Sequence, residues 1–218
     1  MTRTAQIIRA ALATTAAAAS LTLAAWLLDG GDRPVPPQPS AAQRLDSGPG
    51  LPASGLPGGS LQALPAAAPT ALRIPAIGVR SPLTGVGLEP DGSLAVPPQR
   101  ETNLVGWFSE GVPPGVAGTA LLTGHVDNAE GPAVFFRLGA LRKGDTVEVE
   151  RADGRTAVFT VFAVEVHPRD NFPDDRVYRH SSRPELRLIT CGGTFSGTDG
   201  YDGNVVVYAH LTGTAGPH

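Results

Sequence analysis

The sequence holds one cysteine, one methionine and two tryptophans in 218 residues. One cysteine excludes an internal disulfide, and the lack of any Cys-x-x-Cys excludes a zinc site of the cysteine-pair type. Aromatic residues make up 6% of the chain and charged residues 17%. No block of Arg or Lys occurs, the formal net charge is −3 and the pI is near 5.9. The basic face of a nucleic-acid binder is therefore missing. The acidic, glycine-rich "DGYDGN" (199–204) lacks the ligand spacing of a calcium loop. No cofactor and no metal are expected.

Glycine (27) and proline (21) are plentiful and unevenly spread, so they mark organisation. Residues 30–69, "GGDRPVPPQPSAAQRLDSGPGLPASGLPGGSLQALPAAAP", carry no sustained apolar period. Such a composition buries too little apolar surface to offset its ordering entropy, and it predicts a disordered, partly extended linker. Ahead of it, Ala10 to Leu28 is a 19-residue stretch without charge. That is about the length of a membrane-spanning helix. Arg3 and Arg9 precede it, and Asp29 and Asp32 follow. The charge bias places the N-terminus in the cytoplasm and the remainder outside, with Trp26 at an interfacial position. A cleaved signal peptide is the other reading, and it exports the same remainder. The expected order is a transmembrane anchor over 1–29, a linker over 30–69 and a folded domain over 70–213.

From Thr70 onward, short β-branched runs alternate with turn signals. Strands are expected at "LRIPAIGV" (72–79), "LVGWF" (104–108), "TALLTGHV" (119–126), "DTVEVER" (145–151), "RTAVFTVFAVEV" (155–166), "ELRLITC" (185–191) and "NVVVYAHL" (204–211). One short helix is expected at 133–141, a polar connection at 167–184 and a Gly-rich loop at 192–203. Many short strands with one or two short helices predict a mainly all-β fold, a closed or nearly closed β-barrel without exposed edges.

The lone cysteine, Cys191, closes the apolar strand "LRLIT" and precedes Gly192 and Gly193. A buried, inert thiol is the plain alternative. An unpaired thiol in an exported domain, however, is open to oxidation and needs a reason. The glycines leave room for a substrate and aim backbone N–H groups at a developing oxyanion. A thiol nucleophile also requires a base or ion-pair partner. Among five histidines, His125 closes the strand "TALLTG" as Cys191 closes its own. Two strand ends at one rim could bring sulfur and imidazole together. Asp127 could orient that imidazole or simply serve the turn, and the turn is the favoured reading.

Taken in order, "TGHVD" (123–127), "AVFFRLGALRKGDTVEVERADGRT" (133–156), "FPDDRVY" (172–178), "LRLITCGG" (186–193) and "YDGNVVVYA" (201–209) resemble class F sortases of actinobacteria. The resemblance runs from Leu72 to Leu211. It implies an eight-stranded sortase β-barrel and a membrane-anchored cysteine transpeptidase that needs no cofactor. It implies cleavage of a C-terminal sorting signal of the LPxTG kind on secreted proteins, through an acyl-thioester, and transfer to a cell-wall precursor amine. By position, Cys191 matches the nucleophile and His125 the proton donor and acceptor. The segment 167–184 matches the part that shapes the sorting-signal groove. One departure stands out. Sortases usually carry an Arg on the last strand facing the cysteine, and this chain has no Arg after Arg187. Asn204 occupies the expected position, and Arg187, four residues before Cys191, is the other candidate for oxyanion or substrate support. The competing reading is a non-catalytic exported β-barrel that binds a component of the cell envelope, with Cys191 inert.

Overall fold

The computed structural model describes residues 34–45 and 61–216. The chain divides into two units, Met1–Val35 and Pro36–His218. Of the first only Pro34 and Val35 are described, and both are exposed. The uncharged stretch Ala10–Leu28 and the middle of the expected linker, 46–60, lie outside the described residues. Among the described residues no helix is long and apolar enough to cross a membrane.

The second unit carries strands β1 (Pro69–Ile74), β2 (Val79–Val86), β3 (Val105–Phe108), β4 (Gly118–Thr123), β5 (Asp127–Asn128), β6 (Gly131–Pro132), β7 (Thr146–Arg151), β8 (Thr156–Pro168), β9 (Pro184–Ser196) and β10 (Gly200–Ala215). Eight of them close a barrel in the order β1-β2-β3-β4-β9-β10-β8-β7, sealed where β7 pairs with β1. The pairs β2–β3 and β4–β9 are parallel, and the other pairs around the barrel are antiparallel. The expected all-β, eight-stranded barrel with few helices is therefore the fold.

Alternation explains most of it. In β7, Val147 and Val149 are fully buried while Thr146 and Glu148 face outward. The inner core gathers Leu72, Leu122, Phe135, Phe159, Leu186 and Leu188, all fully buried. Each such side chain stabilises the fold by about 1.5–3 kcal/mol relative to exposure. Strand β9 is covered on both faces, because Ile189, Val206 and Tyr208 form a second, outer cluster with Ala163 and Val177. Phe162, Phe172, Leu45 and Leu94 pack against it. The segment after β8, including a one-turn helix at Asp174–Val177, thus roofs the outer face of β8, β10 and β9.

Four expectations need correction. "LRIPAIGV" is not one strand: Pro75 lacks an N–H for the ladder, a 3-10 turn follows at Pro75–Ile77, and Gly78 takes φ 70° to start β2. Residues 133–141 hold only a 3-10 turn, Leu138–Ala140. A helix so short is marginal, and Gly139 inside it lowers propensity further. The Gly-rich stretch 192–203 is largely a hairpin, in which β9 and β10 continue to Ser196 and from Gly200. Tyr201 and Phe195 are register partners with rings 5.1 Å apart, and Gly193 and Gly200 take positive φ. Finally, the expected linker is ordered over 36–45. Pro36 is buried, Leu45 donates its N–H to Glu165 at 2.7 Å, and the Lys143 N–H donates to Gln43 at 2.7 Å. A Pro-rich segment builds no core of its own, yet it lies as an extended strap on an existing one.

Candidate active site

The parallel pair β4–β9 fixes the site. Its register runs from Gly118↔Pro184 to Thr123↔Ile189, a constant offset of 66 residues. The ladder goes one step further, where the Gly124 N–H donates to Ile189 O (3.3 Å) and Thr190 Oγ1 donates to Gly124 O (2.8 Å). Continued by one residue past the paired ladder, the same offset leads from Cys191 to His125, in the loop that follows β4. Neighbouring strands lie about 4.8 Å apart. Gly124 is required there, since a Cβ would lie 2.8 Å from Phe135 Cδ2.

On its other side Cys191 pairs with Asn204 of β10, and Asn204 pairs with His167 of β8. Paired residues share a face, so Cys191, Asn204 and His167 form one row on the outside of the barrel, and the β4–β9 offset carries that row on toward His125 in the loop after β4. Cys191 is exposed; His125 and Asn204 are half-buried; His167 is buried. His125 Nε2 donates to Pro97 O at 2.7 Å. A carbonyl only accepts, so this bond places the proton on Nε2 and leaves Nδ1 as the nitrogen free to exchange one. The Pro97 segment is held in turn by Asn128, whose amide donates to Gln99 O at 3.0 Å. Asp127 does not orient His125; it accepts from Tyr201 Oη at 2.6 Å and ties the β9–β10 hairpin to the histidine loop.

The sulfur reaches solvent, but the dense chain around it pushes the Cys191 thiol above its ordinary value. The Arg169 guanidinium pulls it down, and the Asp127 carboxylate pushes it up. A cleft of about 790 Å³ opens next to this row, walled by Pro168, Arg169, Gly193, Thr194, Asp202 and, from the strap, Arg44. Gln38 of the strap donates to Gly193 O at 3.4 Å. Asp202 lies directly over Gly193 and accepts the Thr194 N–H at 2.7 Å. Glycine at 193, with φ 89°, is the residue that fits both demands.

Arg187 is placed elsewhere. It shares the outer face with Cys191, about 13 Å back along β9 at the usual rise. Its guanidinium bonds Glu185 at 2.7 Å and stacks 4.6 Å from the centre of the Tyr208 ring. Beside it, each carboxylate oxygen of the buried Glu165 accepts from Arg176 at 2.7 Å, and His167 shares a 2.9 Å bond with Tyr208 Oη. Burial pushes the Tyr208 phenol up to about 12. This polar network braces the roof behind the row. Sequence reading missed Glu165, Arg176 and His167, and also Arg169, because nothing local marks a residue whose partner lies on another strand. Among the described residues no cluster of His, Cys, Asp or Glu could hold a metal ion.

An exposed thiol at a strand end, with an imidazole at the end of the neighbouring strand and a cleft walled by the residues that follow the thiol, is an arrangement that suits thiol acyl transfer. The "Sortase domain" family matches residues 72–212, and the chain belongs to the sortase family. Its members are cysteine transpeptidases. Sortase A of Listeria monocytogenes is 16% identical, with 70% of this chain and 92% of that one covered and a TM-score of 0.52. Sortase C-1 of Actinomyces oris is 22% identical over 66% and 75%, with a TM-score of 0.51. Sortase E1 of Streptomyces coelicolor, solved with a tripeptide in its active site, is 20% identical over 69% and 91%, with a TM-score of 0.51. These likenesses show the fold and span several sortase classes. No curated protein matches the chain in sequence.

Proposed function

We propose that this chain is a class F-like sortase, anchored in the cell membrane with its catalytic domain outside, that cleaves a sorting signal of the LPxTG kind on secreted proteins and transfers them to a cell-wall amine. The observation that carries the reading is the offset of 66 residues in the β4–β9 register, which equals the separation of His125 from the exposed Cys191 and supports them as a pair. The class and the anchor rest on the ordered motifs from "TGHVD" to "YDGNVVVYA" and on the uncharged stretch Ala10–Leu28.

The chemistry follows from the row. The Cys191 thiolate attacks the scissile carbonyl, and the carbonyl π electrons move to oxygen. Collapse of that tetrahedral adduct expels the amine, which takes a proton from the His125 imidazolium at Nδ1. The acyl group is now a thioester on Sγ. An incoming amine gives its proton to neutral His125, attacks the thioester and releases the thiolate. The open face of the row and the cleft beside it allow two substrates to enter in turn.

The test is incubation of the full chain with a peptide library of sorting signals, with and without an amine acceptor, followed by intact-mass analysis. The expected result is an acyl adduct confined to Cys191, resolved by the amine, and lost in Cys191→Ala and His125→Ala. A Cys191→Ala protein that still cleaves would overturn the assignment. Binding without any adduct would favour the non-catalytic envelope module instead.

A further inference from the structure

Apart from the His125 imidazolium, whose charge goes with the proton it gives up, the row holds no permanent positive charge. Negative charge gathers first on the sulfur and then on the tetrahedral oxygen, yet the residue directly opposite Cys191 is the neutral Asn204. Several arginines of the domain are already engaged. Arg187 is paired with Glu185, Arg176 with Glu165, Arg151 with Asp153, and Arg73 with Glu148.

Arg169 differs in three respects. No hydrogen bond or ion pair among the described residues engages its guanidinium. It stands two residues beyond His167, the outer member of the row, where β8 leaves the sheet at Pro168 opposite Gly203. It also walls the cleft with Gly193 and Thr194, the residues that follow the nucleophile by two and three positions.

We propose that Arg169 supplies the guanidinium of this active site, acting across the cleft on the Cys191 thiolate and on the carbonyl oxygen of the acyl donor, in place of an arginine on β10. Its field is the strongest influence favouring the thiolate, against the burial that opposes it. The inference rests on the sortase reading above and names the group that completes its charge. An arginine on a segment outside the strand ladder has a consequence: the cation and the substrate groove are carried by the same piece of chain.

The test follows the pH dependence of iodoacetamide alkylation in the full chain, where Cys191 is the sole thiol, alongside turnover of a sorting peptide. Arg169→Ala is expected to raise the alkylation midpoint by about one pH unit and to lower kcat/KM about 10²-fold. Arg169→Lys should keep the midpoint but recover only part of the turnover, since it keeps the charge and loses the planar fork. Asn204→Arg added to Arg169→Ala should bring the midpoint back down. Arg44→Ala, the other arginine that walls the cleft, is the charge control and should leave it in place. An unchanged midpoint in Arg169→Ala, an equal shift in Arg44→Ala, or no return with Asn204→Arg overturns the assignment. A wild-type chain whose alkylation depends on Arg169 but which never accepts a sorting peptide defeats only the substrate reading.

Discussion

Asn204 lies directly across the β9–β10 ladder from Cys191, and the same asparagine lies across the β10–β8 ladder from His167. One amide therefore separates the thiol from a buried imidazole, and the charge that reaches the sulfur comes from beyond the strands. Asn204→Asp tests this arrangement with an isosteric change. A carboxylate opposite the sulfur opposes the thiolate and should lower its population about tenfold at neutral pH. Alkylation at that pH is expected to slow in proportion, as read by mass spectrometry. The melting temperature should change little, because among the described residues the fold draws on no hydrogen bond from the Asn204 side chain.

His125→Ala removes the proposed proton carrier and should leave the barrel intact, because the imidazole is half-buried and its hydrogen bond goes to Pro97 O on a neighbouring loop. Turnover of the sorting peptide should fall about 10²–10⁴-fold. Thermal unfolding should shift by a few degrees at most. A collapse of the fold would instead mark His125 as structural.

The buried His167 and the half-buried His210 predict acid sensitivity. Burial holds both His167 and His210 below the ordinary value of 6.5, against the neighbouring carboxylates of Glu165 and Glu185. His210 Nδ1 is buried without a hydrogen-bond partner among the described residues, which makes charging it costly. An unfolded chain takes up these protons first as the pH falls past 6.5, so stability is full above that value and drains as pH falls toward the folded values. Melting temperatures followed from neutral into mildly acidic solution should decline. His167→Gln and His210→Gln should each flatten the decline.

Gly139→Ala tests the strap. A Cβ at position 139 would meet the Pro37 carbonyl directly, so the strap must lift or the turn must shift. The expected cost is about 1–3 kcal/mol. Limited proteolysis should show faster cleavage within 36–45 than in the parent. Cleavage at the parent's rate would show that the strap's hold does not depend on this approach.

Much of the proposed catalytic pair is legible in the sequence. Cys191 and His125 each close an apolar run at a glycine, and that pattern is local. The 66 residues between them, however, carried no visible meaning until the β4–β9 register gave the same number. Asn204 was legible through its place in "YDGNVVVYA". Arg187 misled, because spacing correctly put it on the cysteine's face but could not reveal Glu185 and Tyr208 claiming it. The Gly-rich hairpin was misread since its pairing depends on Phe195 and Tyr201 meeting across the turn. The strap was unreadable for a different reason. Its composition forms no structure alone, and only the barrel's outer surface gives it one.

The strap also redraws where the enzyme begins. Sequence texture puts the start of the folded domain at Thr70, but Gln38 touches the backbone of Gly193, Arg44 forms a wall of the cleft, and the N–H of Leu45 rests on Glu165. A fragment cut at Thr70 would keep the eight strands, save Pro69 at the start of β1, together with Cys191 and His125. It would also present a wider cleft and a carboxylate missing one donor. Rates measured on such a fragment would describe a different substrate channel, so the smallest faithful unit starts at Pro36.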